Sequence, residues 1–481
     1  MRRALPLLAA ALTVGAAVFW GSWLRWDAFD DAYITFRAAV NLAHGNGPVF
    51  NVGERVESAT SPLWVLLLAG SELARIGPVA ASMPLALIFS AGAAAIAAVC
   101  ALELGGTLAA VLTALVLALL PAWSGWICTG MEVALAGFFI SAAALAAIRG
   151  KPTAAGLLLA AAAMSRPEAV AIFPALLLAL PRPRWPRFLA CALSPLLLLL
   201  LARRAYFGEW VPNTYVAKRQ GLGLTAVARG LKYTGLFALA NVALVAATAH
   251  AAVRKTALRT LALACIGFAA AVAWDGGDHF PLARLLSPIL PLGCAVLGAE
   301  LAILPRRWIA IPAAVALTFA VPKACHVLDL ADGLYELGSQ ALFTRKAREL
   351  LPGLRELPQG RIATITIGFI GFETGRNILD LVGLADAHIA RTPHFAGGAP
   401  GHDHTDVDYV LAQRPEYALF VPQLSDAPLS TGDEAAWLES LDSFLRAARL
   451  LQADPRFRAA YEPLDYMTAD NRHLRIWQLR H

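Results

Sequence analysis

Apolar runs recur along the chain near residues 4–23, 82–102, 106–122, 133–148, 152–164, 169–180, 188–202, 234–250, 258–274, 285–304 and 308–322. A membrane-crossing helix needs roughly 20 apolar residues, and fewer where the bilayer thins or the helix lines a cavity. These eleven runs predict a polytopic helix bundle. The runs 152–164 and 169–180 are short and flank Ser165-Arg166-Pro167-Glu168, a pattern that admits a hairpin broken around a polar cavity. The first run could be a cleaved signal, but Phe19, Trp20 and Trp23 stand where small residues would mark a cleavage site, so it reads as a retained span.

A further run, 62–70, starts at Pro62 and soon meets Glu72 and Arg75. Whether it spans decides the orientation of everything after it. If it does not, Arg2-Arg3, Arg149/Lys151, Arg182/Arg184/Arg187, Arg254/Lys255/Arg259 and Arg306/Arg307 all fall on one side, with no acid among them. Cytoplasmic loops carry such a basic excess. The expected topology is therefore eleven spans with the N-terminus cytoplasmic, and 62–75 as a helix lying in the outer interface. Segments 24–61, 123–132, 165–168, 203–233 and 275–284 then share the outer face with the tail.

From about residue 323 the pattern changes. Charge rises, and Arg361–Ile367 alternates as a strand does, with a second strand pattern at Tyr417–Val421. Residues 340–351 and 434–452 carry helical periodicity. The fold class expected is mostly α: a membrane bundle over 1–322, with a first outer loop at 24–81, then an extracytoplasmic α/β domain over 323–481.

Composition sharpens this picture. Hydrophobic residues make up 58% of the 481 and charged residues 15%, against about a quarter charged in soluble domains. A soluble enzyme of this size has nowhere to bury that much apolar surface. The net charge of +6 sits in short loops where topology requires it, so it does not point to nucleic acid. The six cysteines lack metal-type spacing and lie mostly in or beside apolar runs, so no structural disulfide is expected.

Unusual polar residues gather on the outer face. Asp30 and Asp31 open a helix-like stretch, where acids favour the positive helix terminus. One cap explains one Asp better than two, and an adjacent pair at a membrane surface can serve as general base or metal ligand. His44, Glu54 and Arg55 surround glycines and read as a solvated turn. Arg203, Arg204, Lys218 and Arg219 form an aromatic-rich basic rim, suited either to headgroup anchoring or to a lipid-linked phosphate. Asp275, Asp278, His279 and Arg284 cluster around two glycines and could take a metal, a phosphate or a sugar hydroxyl. Arg166 and Glu168 either pair with each other or face a cavity. In the tail, His394, His402, Asp403, His404, Asp406 and Asp408 read as a metal cluster or as a glycine-rich solvated loop.

Taken in order, DDAYITFRAAVNLAHGNGPVFNVGERVESATSPLW at 30–64, TGME at 129–132, SRPEA at 165–169, FGEWVPNTYVAK at 207–218, GGDHFPLARLLSPILP at 276–291, IGFIGFETGRNILDLVGLADAHIAR at 367–391 and GHDH at 401–404 resemble bacterial GT-C membrane glycosyltransferases of the mycobacterial terminal β-1,2-arabinofuranosyltransferase type. Two positions depart from that pattern: Ser58-Ala59 replaces a GY pair, and His404 stands where a Lys is usual.

The resemblance implies inverting transfer of a sugar from a polyprenyl-phosphate donor to a cell-envelope glycan or lipid acceptor, outside the bacterial cytoplasmic membrane. The catalytic base maps to Asp30 or Asp31. Arg204, Lys218 and Arg284 are the candidates for the donor phosphate. Candidate substrate-binding residues are Arg37, Glu57, Glu132, Arg166, Glu168, Asn213 and Tyr215, with Asp275, Asp278, His279 and His402. The resemblance fixes no cofactor, and a divalent metal could sit at the acid clusters. The rival readings are a secondary transporter or flippase and a non-catalytic lipid-binding scaffold. A transporter would place ionisable residues near the midplane and usually show two related halves.

Overall fold

The computed structural model describes residues 4–219, 223–254, 256–304, 330–395, 398–468 and 471–480, with 330–337 as backbone only. The run expected at 308–322 and the boundary expected at 322/323 lie outside these residues. The protein is mostly helical, with a small sheet in its C-terminal region.

Among the described residues five helices are long and apolar enough to cross a membrane: Leu5–Trp23, Pro78–Leu119, Arg182–Phe207, Leu258–Asp275 and Pro281–Ala302. The pair Gly223–Ala240 and Val242–Val253, bent by 101°, passes the same test only when taken together, as a broken span or a re-entrant loop. Pro78–Leu119 covers two expected runs. As a straight rod its 42 residues would be about 63 Å long, twice the hydrocarbon core. The backbone leaves the helix at Gly106, where φ is +82°, a conformation glycine adopts freely. Val133–Ile148, Pro152–Ser165 and Pro167–Ala179 are shorter apolar helices, as is Pro62–Leu73 in the segment expected at the interface.

Small residues bring the helices together. The buried face of Pro78–Leu119 includes Ala93, Ala94, Ala97, Ala98 and Ala101. A Cβ on Gly105 would lie 2.9 Å from Ala299 Cα, and one on Gly298 would lie 2.6 Å from Ala109 O. Such close backbone approach maximises van der Waals contact where lipid supplies no hydrophobic drive. The Thr113 hydroxyl donates within its own helix to Ala109 O (2.8 Å), with Cys294 O at 3.2 Å on the facing helix. The five described cysteines are free thiols.

The C-terminal sheet has the order β2-β1-β3-β5-β4. Strands β1 (Ile362–Thr364), β2 (Ile378–Asp380) and β3 (Tyr417–Leu419) are parallel and buried throughout. Strands β4 (Tyr461–Met467) and β5 (His473–Leu479) form an antiparallel hairpin that joins β3. Sequence patterning had pointed to β1 and β3 but not to β2 or the hairpin.

This region is clamped to the first loop. Asn51 uses its side-chain amide as a strand would: Oδ1 accepts from Ile378 N (3.0 Å) and Nδ2 donates to Ile378 O (2.8 Å), covering the β2 edge. Arg345 and Arg348 of helix Leu330–Glu349 pair with Asp27 at 2.7 and 3.0 Å.

Candidate active site

Helix Asp30–Ala43 begins after the extended Phe29, with both acids in its first turn. Consecutive helix residues point about 100° apart, so the two side chains diverge. Asp30 accepts hydrogen bonds from the backbone N–H of Phe369 (2.8 Å) and Gly368 (3.2 Å), at the start of helix Gly368–Thr374. Tyr33 packs edge-on to Phe369 and tilted against Phe372, with ring centroids 5.0 and 5.4 Å apart. Burial pushes the Asp30 carboxyl up to about 7, against the pull of the two amides. Asp30 is thus a docking residue between the first loop and the tail.

Asp31 faces the other way, into a cavity of about 1220 Å³. That is large against the 300–1,000 Å³ typical of small-ligand pockets. One wall consists of Leu189, Leu193, Leu196, Leu197 and Leu200 of helix Trp185–Phe207. Polar groups from five segments line the opposite end.

Two charge clusters organise that end. Arg284 pairs with Asp278 through Nε (2.7 Å) and reaches Asp31 through Nη1 (3.5 Å). Its guanidinium lies 4.1 Å from the centroid of the Phe280 ring. Burial opposes ionisation of Asp278, yet the Arg284 and Lys218 charges hold its carboxyl well below the usual carboxylate range. In the second cluster Arg166 donates to Glu132 (2.8 Å) and Glu168 (2.6 Å), and all three are buried. Arg166 sits at the break between Pro152–Ser165 and the 3₁₀ turn Pro167–Ile172, and the break lines the cavity. Asp275, Lys218, Tyr215 and Arg219 complete this end. The Lys218 ammonium has no hydrogen-bonded or ion-paired partner among the described residues; its carbonyl oxygen accepts from Arg229. Arg219 donates to Gly223 O and lies over Trp274, with no carboxylate partner among them.

The structure therefore brings Asp31, Glu132, Arg166, Glu168, Tyr215, Lys218, Asp275, Asp278 and Arg284 to one cavity. Other candidates lie elsewhere. Arg37 is buried against Phe50 and donates to Arg376 O (2.7 Å), so it joins the first loop to the tail. Glu57 stands behind the cavity wall and holds Arg203 at 3.0 Å. Asn213 donates to Gly383 O (2.8 Å) and Leu384 O (3.1 Å). Arg204 is exposed over Trp210 and does not line the cavity; its neighbour Arg203 does. His279 stacks on Phe280 and lies 5.3 Å from the His402 ring, outside the cavity lining. Burial, reinforced by the His279 and Lys218 charges, pushes His402 down to about 3, so it is neutral.

Among the described residues, the group whose donor atoms converge closely enough for a metal ion is His394, Asp403 and His404 in the tail. Asp31 and Asp278 are both engaged by Arg284.

The fold is similar to those of two solved structures. Over 77% of this chain and 85% of the other, it aligns with ArnT from Cupriavidus metallidurans bound to undecaprenyl phosphate, with a TM-score of 0.51 at 15% identity. It also aligns with the Archaeoglobus fulgidus oligosaccharyltransferase over 99% of this chain and 74% of the other, with a TM-score of 0.53 at 12% identity. In sequence, 55 residues (11% of this chain) are 56% identical to a terminal β-(1→2)-arabinofuranosyltransferase of Corynebacterium glutamicum, and 59 residues (12%) are 52% identical to that of Mycobacterium tuberculosis. These matches span 8% and 9% of the relatives' own lengths. Residues 344–472 match a domain of unknown function, DUF8728.

Proposed function

We propose that this chain is an inverting glycosyltransferase. It moves a sugar from a polyprenyl-phosphate donor to a cell-envelope glycan or lipid acceptor on the outer face of the bacterial cytoplasmic membrane. One observation supports the reading: a single cavity joins a leucine wall to a carboxylate, Asp31, and to two cations, Lys218 and Arg219, that form no carboxylate ion pair among the described residues. The expected topology belongs to the same reading, with eleven crossings, a membrane part over 1–322 and an extracytoplasmic domain over 323–481.

In this mechanism the polyprenyl tail lies along the leucine wall and fixes the depth of the anomeric carbon, which lowers the entropic cost of alignment. Asp31 removes the proton of the acceptor hydroxyl as that oxygen attacks, a contribution of about 10²–10⁴-fold. The bond from the anomeric carbon to the phosphate oxygen breaks, and that oxygen gains negative charge. Lys218 and Arg219 stabilise it more in the transition state than in the bound donor. Arg284, held by Asp278, orients the Asp31 carboxylate. The Arg166 cluster and Asp275 offer acceptors for sugar hydroxyls.

Purified full-length protein in nanodiscs, given a panel of polyprenyl-phosphate pentoses and hexoses with a membrane glycan extract, tests the reading. Glycosyl transfer with release of polyprenyl phosphate is expected. Donor translocation across a vesicle bilayer with no bond cleavage would point to a flippase instead.

A further inference from the structure

His394, Asp403 and His404 lie in the tail segment between the 3₁₀ turn Ile389–Arg391 and helix Val407–Gln413. Their side chains are 8%, 2% and 0% exposed. Asp403 Oδ1 lies 2.9 Å from His394 Nδ1 and 3.5 Å from His404 Nδ1, and one donor atom from each residue falls within 4.8 Å of the others. Around a tetrahedral zinc ion with ligand bonds of about 2.1 Å, ligand atoms stand about 3.4 Å apart. The two imidazoles meet at 88° with centroids 4.9 Å apart, so they do not stack.

Hydrogen bonding leaves this cluster incomplete. Nε2 of His404 has no hydrogen-bond partner among the described residues, although the ring is fully buried, and its Nδ1 meets only Asp403 Oδ1, at 3.5 Å. Leaving a buried polar group unmet costs about 1–3 kcal/mol. Asp403 is oriented from behind, since Arg229 Nη1 reaches its Oδ2 at 3.2 Å, and this turns Oδ1 toward the histidines. A carboxylate steered by an outer hydrogen bond is a common feature of metal sites.

We propose that His394, Asp403 and His404 bind a divalent ion of the zinc class, with water in the remaining position. Two imidazoles and a carboxylate form a donor set that zinc accepts. The ion staples the 398–404 loop in place. That loop lies beside the membrane part, with Gly401 against Lys218 and His402 against His279. The proposal stands whether or not the chain is a transferase.

The test uses full-length protein carrying a tag other than polyhistidine, with metal content measured after dialysis against a weak chelator. About one equivalent of zinc per chain is expected, with near-complete loss in His394→Gln and His404→Gln. His388→Gln, which breaks the exposed His388–Asp406 pair, should retain the ion. A second readout needs no variant: metal-stripped wild-type protein titrated with Co²⁺ should show the visible absorption of a four- or five-coordinate site, saturating at one equivalent. Wild-type protein that neither retains zinc nor gives the cobalt spectrum would overturn the site, as would undiminished metal in the folded His404 variant.

Discussion

The Asp30 carboxylate accepts a 2.8 Å hydrogen bond from the backbone N–H of Phe369, 339 residues along the chain. This contact ties the first loop to helix Gly368–Thr374 and uses one member of the acidic pair for assembly. Its neighbour Asp31 is left to face the cavity.

A pH dependence follows from that contact. The Asp30 carboxyl is raised to about 7 in the folded protein, against an ordinary value near 4. Between these values the folded state holds a proton that the unfolded state has lost, so stability is full below about pH 4 and falls as pH rises through 7. Asp380, buried in β2 and also raised to about 7, adds to the same slope. Thermal unfolding of wild type from pH 4.5 to 8 should show this decline, and Asp30→Asn should flatten it in part. An unchanged slope in Asp30→Asn would contradict the assignment.

Lys218 and Arg219 should carry donor affinity, whereas Arg204 should not. A hydrogen bond to a charged group is worth about 1.5–3 kcal/mol, so Lys218→Ala and Arg219→Ala should each weaken donor binding by roughly 10- to 100-fold. Arg204 is exposed over Trp210, and Arg204→Ala should leave binding within about twofold, well below one charge-assisted bond. Titration with a fluorescent polyprenyl-phosphate analogue in nanodiscs measures all three.

Arg166 should be needed for stability as well as function. It holds Glu132 and Glu168 in a buried trio, and removing the cation leaves two carboxylates without their counterion. Breaking a buried pair from one side costs about 3–5 kcal/mol. Arg166→Leu should therefore unfold at a markedly lower temperature in detergent, and adding Glu132→Gln with Glu168→Gln should recover part of the loss. No recovery in the triple variant would mean that the trio contributes mainly packing.

The residues explain how far the sequence could be read. Apolar runs showed the helical bundle, and loop charge placed Asp31, Glu132, Arg166, Lys218 and Asp278 on one expected face; the structure gathers them at one cavity. Helical phase was harder to see. Arg203 and Arg204 are adjacent and chemically identical, yet a rotation of about 100° puts one against Glu57 and leaves the other exposed. Helix Trp185–Phe207 is apolar on nearly every face, so no polar stripe marks its inner side. Arg37 and Asn213 point inward for a reason visible only in three dimensions, since both bond to tail carbonyls more than 150 residues away. Strand β2 gives a weaker signal because Asp380 interrupts the apolar run Ile378–Val382.

Glycosyl transfer by Asp31→Asn and Asp30→Asn tests the central claim most directly, measured in nanodiscs beside wild type at saturating donor and acceptor. Asp31→Asn should lower kcat by about 10²–10⁴-fold while still binding donor, because only the proton acceptor is lost. Asp30→Asn should keep most of its kcat at pH 7. Transfer by Asp31→Asn at the wild-type rate would contradict the account, as would an equal loss in Asp30→Asn with the tail still docked.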